Sequence, residues 1–182
     1  DARVRGAVIR ALGNFRGELI VKTLRHAFES DSSYVVAANA IRGLVKSDSA
    51  GSMEICLEAL KRDSHDDMIR SSALRWLATY SNVPGISGTV RSYTARGRER
   101  NLRVLGISLL AKHWPTEDML EYIAGLLEDQ VFHVRRAAID ALGNAGNEDS
   151  LEPLRRRLAT EPNPRLLQAI REAIQKIEEK NK

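Results

Sequence analysis

The sequence predicts an all-α fold, an α-α superhelix in which about five helical hairpins stack and a final helix closes the array. Three observations carry this. Val4, Val36, Ile69, Leu102 and Val134 recur along the chain at an almost constant interval. Each is followed five places on by Ile or Leu, and eight places on by Leu. A fixed period of this kind, here roughly 32 residues, marks a stacked-repeat architecture. Aromatic residues make up only 5% of the chain while Ala, Leu, Ile and Arg are plentiful, a balance that favours helix over a β-sandwich.

The repeats divide one domain, 1–182, into units at about 1–30, 31–62, 63–97, 98–128 and 129–160, with a capping helix at 161–182. Each unit reads as helix, turn, helix. In the fifth, Val134, Ala138, Ile139 and Leu142 share one face of a helix. Gly13-Asn14 and Gly143-Asn144 are expected to stop their helices through a left-handed cap. Small residues seven places after the reference position, Ala11, Gly43 and Ala141, allow close helix approach. Trp76 and Leu109 take that place in the middle units, so packing there must differ.

Second helices are predicted at 18–29, 50–62, 84–95, 116–127 and 148–159. Ile20, Leu24, Ala27 and Phe28 form the apolar face of the first, and Met53, Cys56, Leu57 and Leu60 that of the second. Pro153 sits near the start of the fifth, where a missing N–H costs least. The third contains Gly85, Gly88, Thr89 and Val90 and should be short or distorted. On the closing helix Leu166, Ala169, Ile170, Ala173, Ile174 and Ile177 make one stripe. Arg171, Glu172, Gln175, Glu178 and Glu179 wet the other side, as a terminal cap requires. The opening helix is apolar over a wide arc: Val4, Ala7, Val8, Ile9, Ala11 and Leu12. The chain also starts without Met and already inside a repeat. It is therefore expected to be a fragment, with something packed against that first helix in the parent protein.

The segment Val134-Arg135-Arg136-Ala137-Ala138-Ile139-Asp140-Ala141-Leu142-Gly143, followed by Gly146-Asn147-Glu148-Asp149, resembles the HEAT repeat, in particular the HEAT-like subclass shared with phycobilisome-lyase repeats. Asp1 to Arg5 and Asp67 to Arg70 echo its acid-then-Val-Arg opening. The resemblance implies a ladder of Asp/Arg hydrogen bonds between neighbouring repeats, carried here by Asp1, Arg5, Arg70, Arg103, Asp129 and Arg135. Ala37 stands at the Arg position of the second unit, so the ladder should break there. The same resemblance puts second helices on the concave side, with Lys22, Arg25, Glu58, Arg91, Arg155 and Arg156 as candidates for an inner interaction surface. The order of the last repeats is similar to the C-terminal HEAT-like segment of zinc aminopeptidases of the aminopeptidase N type. Those enzymes hold zinc through H-E-x-x-H in an upstream domain. No His-Glu pair occurs in this sequence, so the resemblance implies a context and no catalytic residue.

Chemistry is sparse elsewhere. Net charge is +4, from 28 basic and 24 acidic residues, so the signs nearly cancel and a nucleic-acid partner is not demanded. The densest basic stretch, Arg91, Arg96, Arg98, Arg100 and Arg103 with Tyr93 among them, reads either as a phosphate- or carboxylate-binding ridge or as a solvated loop, the second being favoured. Arg155-Arg156-Arg157 points several ways around one helix. His65 with Asp66 and Asp67 lacks the convergent spacing of a metal site and reads as a solvated turn. His113 falls in a turn and His133 at a helix start. Cys56 is the only cysteine, so no internal disulfide forms, and its apolar neighbours predict a buried thiol. The glycines do not form a phosphate loop. No cofactor, metal or catalytic residue is expected. Membrane-spanning and export signals are not seen, and a cytoplasmic location is the expectation. The predicted function is a non-catalytic interaction or domain-packing module. The first candidate is the C-terminal part of an aminopeptidase-type enzyme, packed on its catalytic domain. The alternative is a free-standing scaffold for a protein or peptide, with nucleic-acid binding behind both.

Overall fold

The structure is a computed structural model that describes residues 1–47 and 51–180. Among these the chain is all helix and turn, with eleven α-helices. They are α1 (Ala2–Leu12), α2 (Glu18–Ser30), α3 (Tyr34–Ser47), α4 (Ser52–Ala59), α5 (Met68–Leu77), α6 (Ile86–Ser92), α7 (Arg100–His113), α8 (Glu117–Gly125), α9 (Phe132–Ala145), α10 (Leu151–Thr160) and α11 (Pro164–Lys180). The all-α repeat fold predicted from the sequence period is therefore what forms. The expected start of the second unit's second helix at Ala50, and the last two residues of the closing helix, lie outside the described residues.

The chain forms two compact units, residues 1–86 and 87–182, and the boundary falls inside the third repeat. In the first unit α3 packs on both α1 and α2, and α5 on both α3 and α4. In the second, α9 packs on both α7 and α8, and α11 on both α9 and α10. Within each unit the first helix of a following hairpin, α3, α5, α9 or α11, thus lies on both helices of the hairpin before it. This follows from the sequence pattern. The reference residues Val36, Ile69, Val134 and Leu166 and their partners four places on, Ala40, Ala73, Ala138 and Ile170, are all fully buried. Side chains four apart stack on one helix face, and that face is the seam between hairpins.

Glycine has a different job here from the one the sequence suggests. Gly143 lies inside α9, and Gly13 closes α1 with φ −62°, an ordinary right-handed value. Neither is a left-handed cap. Both instead mark helix crossings. A Cβ on Gly13 would stand 2.6 Å from the Gly43 Cα, and one on Gly143 would stand 2.9 Å from the Ala173 Cβ and 3.0 Å from its Cα. The place nine after the reference in one repeat meets the place seven after it in the next. Small residues at both let the helix backbones approach.

Other departures are local. In α4 the buried set is Ser52, Ile55, Cys56 and Ala59, while Leu57 is exposed. α6 is only seven residues long and is preceded by Gly85 at φ +86°, the left-handed region that glycine tolerates. The second helices of the fourth and fifth units are each part 3-10 helix, at Leu126–Glu128 and Glu148–Ser150. Pro164 opens α11 at the first helical position, where its lack of an N–H is harmless.

Candidate functional site

Two groups of residues stand out: a set of ion pairs that clasp the hairpins, and an open apolar face on α1. Three clasps engage Arg5, Arg103 and Arg135, each with an acid at the end of its own hairpin. Arg5 reaches Asp31 through Nε at 2.7 Å and Nη2 at 2.9 Å. Arg103 reaches Asp129 through Nη2 at 2.6 Å and Nη1 at 3.2 Å. Arg135 reaches Glu161 through Nε at 3.0 Å and Nη2 at 3.2 Å. In all three the acid lies 26 residues after the arginine. Each acid also accepts a backbone N–H two places on, from Ser33, Val131 and Asn163 respectively. One carboxylate thus ties the end of a hairpin to its own first helix and shapes the start of the next.

The spacing explains where the set is irregular. Ala37, buried, stands where the second repeat would carry arginine, and the acid at the same offset from it is Asp63. Asp63 pairs with Arg70 instead, which also bonds Asp67 at 3.1 Å and the Leu60 carbonyl at 3.1 Å. Asp66 and Asp67 both sit at φ +51°, a left-handed pair that aspartate tolerates better than most residues. At that offset from Arg70 comes Arg96, which lies 4.0 Å from Asp129. Asp1 stands apart from this set: its carboxylate caps α1 by accepting from the Arg3 N–H at 2.6 Å. Asp31 and Glu161 were not singled out in the sequence, although the constant offset from Arg5 and Arg135 marks both.

The electrostatics follow from these contacts. Hydrogen bonding by Arg5 holds the Asp31 carboxyl below its usual range. Burial pushes Asp129 up, but the bonds from Arg103 and the Val131 N–H, with the charges of Arg103 and Arg96, outweigh it and leave the pKa lowered. Glu161 behaves alike: burial raises it, and Arg135, Arg157 and the Asn163 N–H bring it below normal. A carboxyl whose pKa is depressed by folding stabilises the fold above its unfolded pKa and loses that contribution as pH falls through the folded value. Thermal midpoints should therefore be level from pH 7 to about 5 and fall steeply below about pH 4, where free carboxylates titrate. Melting curves across that range check it. A midpoint as high at pH 3 as at pH 7 would show that the clasps do not act as ion pairs.

The candidate surface arginines are largely engaged within their own units. Arg91 lies 3.9 Å over the Tyr122 ring, and Arg98 lies 4.9 Å over Tyr93. The Thr94 hydroxyl donates to the Arg91 carbonyl at 2.7 Å, so Tyr122, 2.6 Å away, is the donor in their pair. Arg155 pairs with Glu178 at 2.8 Å, Arg156 with Glu152 at 3.8 Å, and Arg157 with Glu128 at 2.6 Å and Glu161 at 2.7 Å. In the first unit Lys22 pairs with Glu18 at 2.6 Å and Arg25 with Glu29 at 3.8 Å. Glu58 is exposed.

Among the described residues, no group of three or more His, Cys, Asp or Glu side chains could hold a metal ion. His65 bonds its neighbour Asp66 at 3.2 Å in an exposed turn. Burial pushes the Cys56 thiol up to about 12, which leaves it protonated and a poor nucleophile. No described helix is long and apolar enough to cross a membrane.

The open face lies on α1. Val4 is 63% exposed and Val8 is 51% exposed, although both hold positions that are fully buried in the later repeats of each unit. Between α1 and α2 runs a groove of about 420 Å³ lined by Val4, Val8 and Ile9 on one side and Thr23, His26 and Ala27 on the other. Phe15 and Leu19, after α1 and at the start of α2, are exposed as well. Scattered exposed apolar residues are ordinary in folded proteins; a contiguous set on one face marks an interaction surface.

Helical hairpins stacked on a fixed period, clasped by arginine and acid at a constant offset, define a helical-repeat protein. Its family is that of the HEAT repeats, which match residues 1–83 and 90–175, and the chain belongs to it. No curated protein matches the sequence.

Proposed function

We propose that this chain is a protein-interaction module that works by shape and carries no chemistry of its own. The observation behind this reading is the open α1 face. It presents Val4 and Val8 to solvent beside an apolar groove, while the most buried charges around the repeats are paired in clasps. HEAT-repeat arrays commonly serve as interaction scaffolds, which agrees with a surface of this kind. In its more specific form, the partner is the catalytic domain of an aminopeptidase-type metallopeptidase to which the chain belongs; the order of the last repeats supports that form. An H-E-x-x-H motif upstream in the same reading frame tests it directly. The free-standing scaffold that uses Lys22, Arg25, Glu58, Arg91, Arg155 and Arg156 has less support, since five of the six already contact neighbours in their own unit.

Site-specific photocrosslinking tests the reading. A photoreactive residue at Val8 should yield a discrete protein adduct in extract of the source cells, and one at Glu121, on a charged part of α8, should not. Adducts that are absent at both positions, or equal at both, would remove the α1 face as the site of interaction.

A further inference from the structure

We propose a second interaction surface, separate from the groove between α1 and α2: a row of three arginines across α1, α3 and α5 that receives an acidic helix of a partner protein. Arg10, Arg42 and Arg75 each stand six places after the reference residue of their repeat, Val4, Val36 and Ile69. α1 packs on α3 and α3 on α5, so one repeat place becomes a line of side chains running across the three helices. All three arginines are exposed, and none makes a side-chain hydrogen bond or ion pair among the described residues. That sets them apart from the cations of α2, where Lys22 pairs with Glu18 and Arg25 with Glu29. α1, α3 and α5 contain no Asp or Glu at all. Arg10 does not line the groove beside Val4 and Val8.

Stacking does not require these arginines. In the second unit the same place holds Ser108, Asp140 and Glu172, and α9 still packs on both α7 and α11. A cation in the last turn suits a helix C-terminus. Arg10 and Arg75 lie there, but Arg42 does not. Like charges held in a line without an acid repel one another. Carboxylates relieve that repulsion, since a guanidinium binds a carboxylate through paired N–H bonds. Spacing then selects the form of the partner. Packed helices lie about 8–10 Å apart, which sets the interval of the row. Residues seven apart on an α-helix are separated by about 10.5 Å and lie within about 20° of one face. On a β-strand, same-face residues come at about 7 or 14 Å. The row therefore fits a helix that carries a carboxylate at every seventh place. A nucleic-acid duplex fits it less well. Duplex-binding proteins neutralise about 6–10 phosphates, and Asp63 and Asp66 stand exposed just ahead of α5.

A fluorescently labelled helical peptide of about 20 residues, built on alanine and glutamine with glutamate at every seventh place, tests this by anisotropy on the full chain. The salt is set at about 0.1 M, where charges more than about 10 Å apart are screened and local pairing dominates. Binding should saturate. Arg42→Gln with Arg75→Gln should weaken it by about tenfold, since two ion pairs of guanidinium with carboxylate are lost. Lys22→Gln with Arg25→Gln removes the same charge from α2 and should change it by less than about twofold. All four side chains are exposed, and unchanged circular dichroism shows that the fold is kept. A peptide with glutamate at every ninth place, which alternates between opposite helix faces, should bind about tenfold more weakly than the first. No saturable binding, equal losses from the two pairs of substitutions, or equal affinity for the two peptides would overturn the proposal. So would a DNA duplex of about 20 base pairs that binds more tightly than the first peptide and is released by the Arg42 and Arg75 substitutions, since the row is then a phosphate site.

Discussion

Replacing Asp129 by Asn should cost about 3–5 kcal/mol of stability, the usual loss on removing one partner of a buried ion pair. Both side chains of the Arg103–Asp129 pair are only 4% exposed. The asparagine carbonyl can still accept from the Val131 N–H, so the turn before α9 survives and the loss isolates the charge. Arg103 keeps its bond to the Thr94 carbonyl but is left with an uncompensated buried charge. Chemical denaturation followed by circular dichroism measures the change. The double variant Arg103→Met with Asp129→Leu should recover most of the loss, since two apolar side chains of similar size remove the stranded charge. A double variant no better than Asp129→Asn would show that the pair holds the fold by its geometry. Asp31→Asn supplies the contrast. It breaks the same kind of clasp where the arginine is half exposed, and ion pairs open to solvent contribute little, so it should shift the midpoint far less.

The clasp also shows how far the sequence could be read. The period and the apolar positions marked the order of the helices and the seam residues of the first helices, because burial of one helix face is a local, repeated demand; the ends of the second helices, such as the seven-residue α6, followed less closely. The arginines at Arg5, Arg103 and Arg135 follow the reference residue directly and are visible in the same way. Their acids sit far along the chain, past a whole second helix, and only Asp129 lies in a stretch with a recognisable motif. Where Arg70 turns back to Asp63 and Asp67, its choice depends on a left-handed Asp66-Asp67 turn that no periodicity encodes. The open α1 face was legible as a wide apolar arc.

Gly143→Ala should destabilise the protein by about 1–3 kcal/mol, the range for a methyl forced into a packed interior. By helix propensity alone the sign would be opposite. Gly143 lies within α9, and alanine in place of glycine inside a helix ordinarily contributes about 0.5–1 kcal/mol. The crossing decides. The new Cβ would meet the Ala173 Cβ at 2.9 Å and its Cα at 3.0 Å, and a backbone atom cannot swing aside as a flexible side chain would. α9 and α11 must separate, which loosens a seam that buries Val134, Leu142, Leu166 and Ile170. Gly88→Ala serves as the matched control. Gly88 is also helical, in α6, and its Cβ would have nothing within 4 Å, so this variant should gain about 0.5–1 kcal/mol. Thermal midpoints of the two variants should therefore move in opposite directions. If Gly143→Ala rises with Gly88→Ala, glycine at that position serves only the chain's flexibility, and the α9–α11 approach is not what holds the residue small.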